Sequence, residues 1–191
     1  MILREIESDF VKIKHIVSNE RGNINKYSNL PNLDKLIEFL IIGEDRRFYS
    51  HPGFDIIAIT RAIRNRLFYS KKEGASTIEQ QLVRVLTDQY KRTFKRKLKE
   101  IILATQLKRI LSKKEIALLY LKLAYYGTEK QGLEMTLDTF NLSLNSILSD
   151  YVCASIISRL KYPEPKSESP KRSIQINIRT KYIIKQHNNN G

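Results

Sequence analysis

The stretch "GEDRRFYSHPGFD", Gly43–Asp55, directly follows the apolar run "LIEFLII". It carries acids, arginines and a histidine together with Phe48, Tyr49 and Phe54, whose rings are stabilised by burial. A loop that is charged only for solubility does not need aromatic anchors. The pattern therefore predicts charged side chains that are held in fixed positions at the edge of the core.

The composition indicates one globular domain with a strongly basic surface. The chain has 191 residues, of which 41 % are hydrophobic and 28 % charged, and these values suit a single packed core. Lys and Arg total 34 against 20 acids, a net charge of +14, which favours anionic partners such as nucleic acid, phosphorylated ligands or lipid headgroups. The single cysteine, Cys153, lies in an apolar run, so we expect an inert core thiol.

The distribution of glycine, proline and apolar residues predicts a mainly α fold. Glycines and prolines are few, and no alternating strand pattern stands out. Capping boxes are predicted at Ser76 with Glu79 and at Ser112 with Glu115, and Asp55 is predicted to cap a helix. We predict helices over residues 33–42, 56–68, 76–86, 91–111, 112–127 and 146–160. The segment "IQINIRTKYIIKQ" is ambiguous between helix and strand, and residues 188–191 are predicted to be a disordered tail.

The helix predicted over residues 91–111 changes character at Glu100. At 100° per residue its first half has two faces. The polar face holds Arg92, Arg96, Lys99 and Glu100, and the opposite face, predicted to be buried, holds Phe94, Leu98, Ile101 and Ile102. The second half is apolar on most sides, which predicts a buried central helix. Glu100 either pairs with Arg96 four residues earlier or lies at the floor of a basic cleft.

Three motifs in this order resemble those of a known family. "EDRRFYSHPGFD" matches E-D-x-x-F-x-x-H-x-G-F-D, "GASTIEQQLVR" is similar to G-G-S-T-I-T-Q-Q-x-x-K, and "RKLKE" matches R-K-x-x-E. The chain thereby resembles the peptidoglycan glycosyltransferases, glycosyltransferase family 51. These enzymes occur as a domain of bifunctional penicillin-binding proteins and as monofunctional transglycosylases. The resemblance is best over residues 33–126 and continues weakly to Gln186, where "RTKYIIKQ" is similar to R-x-x-x-V-L.

The resemblance implies a lysozyme-like glycosyltransferase fold with a helical core lobe and a smaller membrane-facing lobe, in a single domain over residues 1–187. It implies that the protein transfers a lipid-linked glycan chain onto a sugar hydroxyl of lipid II and releases undecaprenyl pyrophosphate. Glu44 would be the base at the acceptor sugar. Glu100 would lie near the donor sugar and the pyrophosphate, or bind a Mg²⁺ or another divalent cation that accompanies it.

Cations and polar side chains are implied on the donor side of the same site. Arg84, which stands where the motif has Lys, and Arg92 would hold the pyrophosphate. The other substrate-binding residues implied by the resemblance are Lys99, Ser76, Thr77, Gln80, Gln81, Asp45 and Arg47. We interpret His51 as a turn residue with a hydrogen-bonded ring. The motif has Gly where Ala75 stands and Thr where Glu79 stands, and residues 128–145 are the least similar to the family.

The substrate's undecaprenyl chain implies work at the outer face of the bacterial cytoplasmic membrane. No apolar stretch approaches the ~20 residues that a membrane helix needs, so we expect a peripheral protein or an anchor outside this chain. Leu67, Phe68 and Tyr69, beside Lys71 and Lys72, are the candidate membrane contact. The alternative is that Leu67 and Phe68 end the preceding helix inside the core.

Three other functions stay open at this stage. The first is a weak or inactive lipid II-binding scaffold that works with other cell-wall synthesis proteins. The second is a basic helical nucleic-acid-binding protein, which accounts for the net charge but leaves the acidic motifs unexplained. The third is a lysozyme-like hydrolase.

Overall fold

The computed structural model describes residues 2–70, 74–91 and 93–189. This part of the chain forms α-helices and one 3-10 helix, and its only β pairing is two isolated bridges. The elements in chain order are α1 (Ile2–Ser28), α2 (Pro31–Glu44), the 3-10 helix (Phe48–Ser50), α3 (Ile56–Tyr69), α4 (Ile78–Thr87), α5 (Phe94–Leu107), α6 (Lys113–Leu123), α7 (Leu133–Asp138), α8 (Asp150–Lys161) and α9 (Pro170–Asn188). The prediction of a mainly α protein is confirmed.

The chain forms two compact units, each made from two separate segments. The first unit comprises Met1–Arg21 and Arg47–Ile116, and the second comprises Gly22–Arg46 and Ala117–Gly191. The single domain over residues 1–187 stays a prediction. α9 continues to Asn188, so the predicted tail starts too early, and residues 190 and 191 lie outside the described part.

In the first unit, α4 packs against α5. Thr77 is the N-cap of α4, and its hydroxyl accepts a hydrogen bond from the Gln80 backbone N–H. The predicted capping box of Ser76 and Glu79 is therefore wrong. The capping box does not form because the Glu79 side chain is buried and its carboxylate is paired with Lys113.

The buried side of α5 differs from the predicted one. Phe94 is 86 % exposed and Leu98 40 % exposed, whereas Lys99 and Glu100 are buried. Charged partners explain the difference, because both buried charges form ion pairs and a paired charge tolerates burial. The second half of the helix follows the prediction, with Leu103, Ala104 and Leu107 buried.

Helix α3 begins at the predicted cap, where the Asp55 carboxylate accepts from the Ala58 N–H at 3.1 Å. None of its side chains is buried. Leu67, Phe68 and Tyr69 are 73 %, 76 % and 70 % exposed, so the alternative that Leu67 and Phe68 end the helix inside the core is wrong. Lys71 and Lys72 lie outside the described residues.

In the second unit, α2, α8 and α9 pack on one another. The predicted helix over residues 33–42 is confirmed and extends at both ends. A Cβ on Gly43 would come within 2.7 Å of Ile157 and 3.2 Å of Ile183, so the last turn of α2 approaches α8 and α9 more closely than a side chain allows. The ambiguous segment "IQINIRTKYIIKQ" is helical and lies within α9.

Two further predictions concern the cap of α6 and the cysteine in α8. The capping box at the start of α6 is confirmed, because the Ser112 N–H donates to Glu115 at 2.6 Å and the Glu115 N–H donates to the Ser112 hydroxyl at 3.3 Å. Cys153 is buried in α8, as expected of a core thiol, and burial raises its pKa to about 11.

Among the described residues, no helix has the length and apolar content that crossing a membrane requires.

Candidate functional site

A buried carboxylate in the first unit is surrounded by three cations. Arg84 Nε donates to Glu100 Oε1 at 2.9 Å and its Nη2 donates to Oε2 at 3.3 Å. Arg96 Nη1 also donates to Glu100 Oε1, and Lys97 Nζ lies 3.9 Å from Oε2. One acid against three bases leaves a surplus of two positive charges. We call Glu100, Arg84, Arg96 and Lys97 the cationic cluster.

Helix spacing builds this cluster. Arg96 and Lys97 lie four and three residues before Glu100 on α5, so all three side chains reach the same side of the helix. Arg84 comes from α4, which packs against α5. The cations are partly accessible, with side chains 27 %, 13 % and 32 % exposed for Arg84, Arg96 and Lys97. A partly open, cation-rich cluster can bind an anion such as a phosphate.

Lys97 connects the cluster to the start of α4. Its Nζ donates to the Ser76 hydroxyl at 3.0 Å and to Gln80 Oε1. Burial lowers the pKa of Lys97; Glu100 acts in the opposite direction, and Arg84 and Arg96 lower it further. An anion that binds beside Lys97 would favour its charged form.

The structure brings Ser76, Gln80, Arg84 and Glu100 together, as the motifs suggested, but it places Lys99 elsewhere. Lys99 Nζ lies 2.6 Å from Asp9 and is buried, on the side of α5 that meets α1. Lys97 and Arg96 were missing from the predicted ligands. The R-K-x-x-E spacing contains both, so the signal was available in "RKLKE".

The other predicted ligands have varied surroundings. Arg92 lies outside the described residues. Thr77 is buried and its hydroxyl donates to the Gly53 carbonyl at 2.7 Å, which is a structural contact. Gln81 follows Gln80 on α4 and is partly accessible.

The charged loop after α2 is internally bonded. Arg47 Nε donates to Asp55 at 3.1 Å, and the His51 ring accepts from the Gly53 N–H at 3.2 Å, which confirms His51 as a turn residue. Gly53 has φ +130°, and a Cβ there would lie 2.7 Å from the Ala104 carbonyl. Asp55 is held ionised: although burial alone would raise its pKa, the Ala58 N–H and Arg47 bring that pKa below the ordinary value.

In the second unit, Glu44 is the last residue of α2 and pairs with Arg179 of α9. Arg179 Nη2 donates to Glu44 Oε1 at 2.6 Å and to the Gly43 carbonyl at 2.7 Å. Both side chains are largely buried, at 12 % and 11 % exposed. Arg179 is the arginine of "RTKYII" and was not among the predicted site residues. Asp45, the next residue after Glu44, is buried.

The surroundings of Glu100 do not fit a metal site built on that carboxylate. Both of its oxygens accept hydrogen bonds from arginines, and a third cation lies within 4 Å. A divalent cation prefers several oxygen ligands and no competing positive charge. The cations around Glu100 therefore disfavour the predicted role of this carboxylate as a Mg²⁺ ligand.

Comparison with known proteins identifies the family. The sequence profile of the Transglycosylase family matches residues 9–188. Penicillin-binding protein 1A of Rickettsia felis is 34 % identical over 157 residues, which cover 78 % of this chain and 19 % of that protein. A monofunctional glycosyltransferase of Staphylococcus epidermidis is 34 % identical over 140 residues, 68 % of this chain and 51 % of that protein. The chain belongs to the transglycosylase family.

The coverage differs between the two kinds of relative. The matched region amounts to about a fifth of the Rickettsia felis protein and about half of the Staphylococcus epidermidis protein. Penicillin-binding protein 1A of Vibrio cholerae is 46 % identical over 99 residues, 51 % of this chain. Each likeness therefore covers only part of the relative's own length.

Proposed function

We propose that this chain polymerises peptidoglycan glycan strands from lipid II. The observation that carries the proposal is the cationic cluster in a member of the transglycosylase family, and the first motif supports Glu44 as the base. The bond that forms joins a sugar hydroxyl oxygen of one unit to the anomeric carbon of the other. The bond that breaks joins that carbon to the pyrophosphate.

Glu44 accepts the proton of the attacking hydroxyl. A carboxylate placed within hydrogen-bond reach of the hydroxyl can do this while the new bond forms. Arg179 donates to Glu44 Oε1 and to the carbonyl before it, so the carboxylate has a fixed orientation. Arg179 therefore acts by positioning Glu44.

The cationic cluster binds the pyrophosphate and stabilises it as it leaves. Undecaprenyl pyrophosphate gains negative charge when the glycosidic carbon departs, and fixed cations stabilise charge that develops in the transition state. Glu100 holds Arg84 and Arg96 in place through charge-assisted hydrogen bonds. A divalent cation is not needed at Glu100 in this scheme; if one takes part, the pyrophosphate supplies its ligands.

A buried donor beside the cluster supports substrate binding on the donor side. Gln80 is fully buried, its Oε1 accepts from Lys97, and its Nε2 has no hydrogen-bond partner among the described residues. An unsatisfied buried donor is costly unless a ligand supplies an acceptor. A phosphate or sugar oxygen of the lipid-linked donor fits this requirement.

The membrane surface is the proposed location of the reaction, on the outer face of the cytoplasmic membrane. α3 has no buried side chain, and exposed apolar residues at its end lie on the same helix as Arg61, Arg64 and Arg66. Apolar side chains that enter the interface, next to cations that meet anionic headgroups, give a peripheral contact. Lipid II and the growing strand are the proposed partners, with other cell-wall synthesis proteins as candidates.

The test is turnover of lipid II by the purified chain in detergent, followed as release of undecaprenyl pyrophosphate. The parent should turn over and Glu44→Gln should lose about 10²–10⁴-fold in rate, while both bind lipid II. Binding without release by the parent would favour the scaffold alternative. Steep salt-dependent binding of DNA, with no preference for lipid II, would favour the nucleic-acid alternative.

A further inference from the structure

A lysine outside the cationic cluster joins three segments of the first unit. Lys113 is the first residue of α6. Its Nζ donates to the His51 carbonyl at 2.9 Å, to the Phe48 carbonyl and to Glu79. The same ammonium lies 4.4 Å from the centre of the Phe48 ring. One side chain therefore contacts the loop after α2, the first turn of α4 and an aromatic anchor.

Lys113 is the cation that pairs with the Glu79 carboxylate. Glu79 is buried, and its Oε2 has no hydrogen-bond partner among the described residues. Lys113 supplies the charge that keeps the buried acid tolerable. At the position of Glu79 the family motif quoted above has Thr, so the buried acid is a departure from that motif.

We infer that Lys113, paired with Glu79, is a positioning residue that holds residues 47–55 against the start of α4; this inference rests on the proposed function. The first turn of α4 carries Gln80, which contacts Lys97 of the cationic cluster. The loop carries Arg47, a proposed substrate ligand, held through Asp55. The three donor contacts of Lys113 fix the distance between these two ligand-bearing segments.

A second contact also joins the loop over residues 47–55 to the start of α4. The Thr77 hydroxyl donates to the Gly53 carbonyl at 2.7 Å, and Gly53 packs closely on the Ala104 carbonyl of α5. The Thr77 contact holds the far end of the loop at Gly53, and Lys113 holds the near end at Phe48 and His51. Loss of Lys113 should therefore loosen one end of the loop and leave the other end in place.

The test compares Lys113→Met with the double variant Glu79→Gln with Lys113→Met, and with Lys108→Met as the control. Lys108 is an exposed lysine that follows α5, so it reports the loss of a charge alone. Lys113→Met leaves Glu79 buried without its cation and should lower the midpoint of thermal unfolding. The double variant has no lone buried charge and should recover most of that midpoint.

Two readouts separate positioning from stability. The kcat for lipid II should fall about 10- to 100-fold in both Lys113 variants, as expected for a small misplacement of ligand-bearing groups. Hydrogen exchange of the Ser50 amide, which donates to the Arg47 carbonyl at the near end of the loop, should speed up in both variants, whereas the Gly53 amide at the far end should exchange as in the parent. Lys108→Met should match the parent in every measurement.

Recovery of the parent's kcat and amide exchange in the double variant would overturn the inference, because charge compensation alone would then explain the pair. Should the parent itself release no undecaprenyl pyrophosphate, the proposed function fails. The exchange measurement still decides the role of Lys113 in that event, since it does not depend on turnover.

Discussion

Removing one cation from the cluster around Glu100 should weaken phosphate binding by a predictable amount. Arg84→Ala reduces the surplus of positive charge from two to one. At ~4 Å and an effective dielectric of about 20, one unit charge attracts another by roughly 4 kcal/mol, and measured hydrogen bonds to charged groups contribute about 1.5–3 kcal/mol. A loss of about 1.5–3 kcal/mol of binding free energy corresponds to a Kd about 10- to 150-fold higher.

The fold should survive this substitution. Arg84 makes two hydrogen bonds to a buried carboxylate, but Arg96 still donates to Glu100 and Lys97 remains nearby. The cost in unfolding free energy should therefore stay below the ~3–5 kcal/mol of a buried pair that loses its only partner. Circular dichroism melts check this point before any binding experiment.

The assay is calorimetric titration with a moenomycin-type phosphoglycolipid, whose phosphodiester should occupy the pyrophosphate position. Arg109→Ala, an exposed arginine after α5, is the matched control and should bind like the parent. Glu100→Gln raises the surplus charge and should lower the Kd. If Arg84→Ala and Arg96→Ala bind as the parent does, the phosphate site lies elsewhere. A higher Kd for Glu100→Gln would mean that holding Arg84 and Arg96 in place outweighs the positive charge that Glu100 cancels.

Three further predictions concern pH, backbone geometry and the membrane. Burial lowers the pKa of Lys97 from 10.5, so inhibitor affinity should fall as pH rises through that lowered pKa, and Lys97→Arg should remove the alkaline decline; an unchanged decline excludes Lys97 as its source. Gly53→Ala should lower the unfolding free energy by about 1–3 kcal/mol, because φ is +130° and the Ala104 carbonyl lies 2.7 Å from the new Cβ; an unchanged denaturant midpoint would contradict this. Binding to anionic liposomes should weaken with salt and in Phe68→Ser with Tyr69→Ser, and a folded double variant that sediments like the parent would rule out this contact.

Lys97 should also affect stability with pH in a defined direction. Its depressed pKa means that the unfolded chain keeps this proton to a higher pH than the folded chain. Where the unfolded state binds more protons, the free energy of unfolding rises with pH. The contribution of Lys97 to the free energy of unfolding should therefore increase as pH rises from the lowered pKa of Lys97 in the folded chain to the ordinary lysine pKa of 10.5.

Motif spacing predicted the cationic cluster better than helix faces did. The three motifs identified Arg84 and Glu100, and α4 and α5 place them in contact. The buried side predicted for the first half of α5 was wrong, because charged residues were expected to face solvent. Lys99 and Glu100 are buried with opposite charges on other helices, and a single helix cannot indicate such partners.

The N-terminal helix was missed although its signal was present. α1 spans Ile2–Ser28, and no helix was predicted before residue 33. The buried apolar positions of α1 recur at spacings of seven, four, seven and three residues, at Ile6, Ile13, Val17, Ile24 and Tyr27. This spacing is typical of one apolar stripe on a helix, but the charged residues between these positions masked it.

The ion pair of Glu79 and Lys113 marks the limit of prediction from the sequence alone. The two residues are 34 positions apart, and the Ser76–Glu79 spacing gave Glu79 a local partner that the structure does not use. Arg179, 135 positions from Glu44, was missed for the same reason. Long-range pairs depend on how the helices pack, which local patterns do not contain.

The most direct test of the account is the size distribution of products from labelled lipid II. Incubation with the purified chain, followed by separation by size, should give a ladder of glycan strands for the parent and for Lys108→Met, and no strands for Glu44→Gln. A parent that binds lipid II yet leaves all of the label in single disaccharide units would contradict the proposed polymerase. An unreduced ladder from Glu44→Gln would contradict the role of Glu44 as the base.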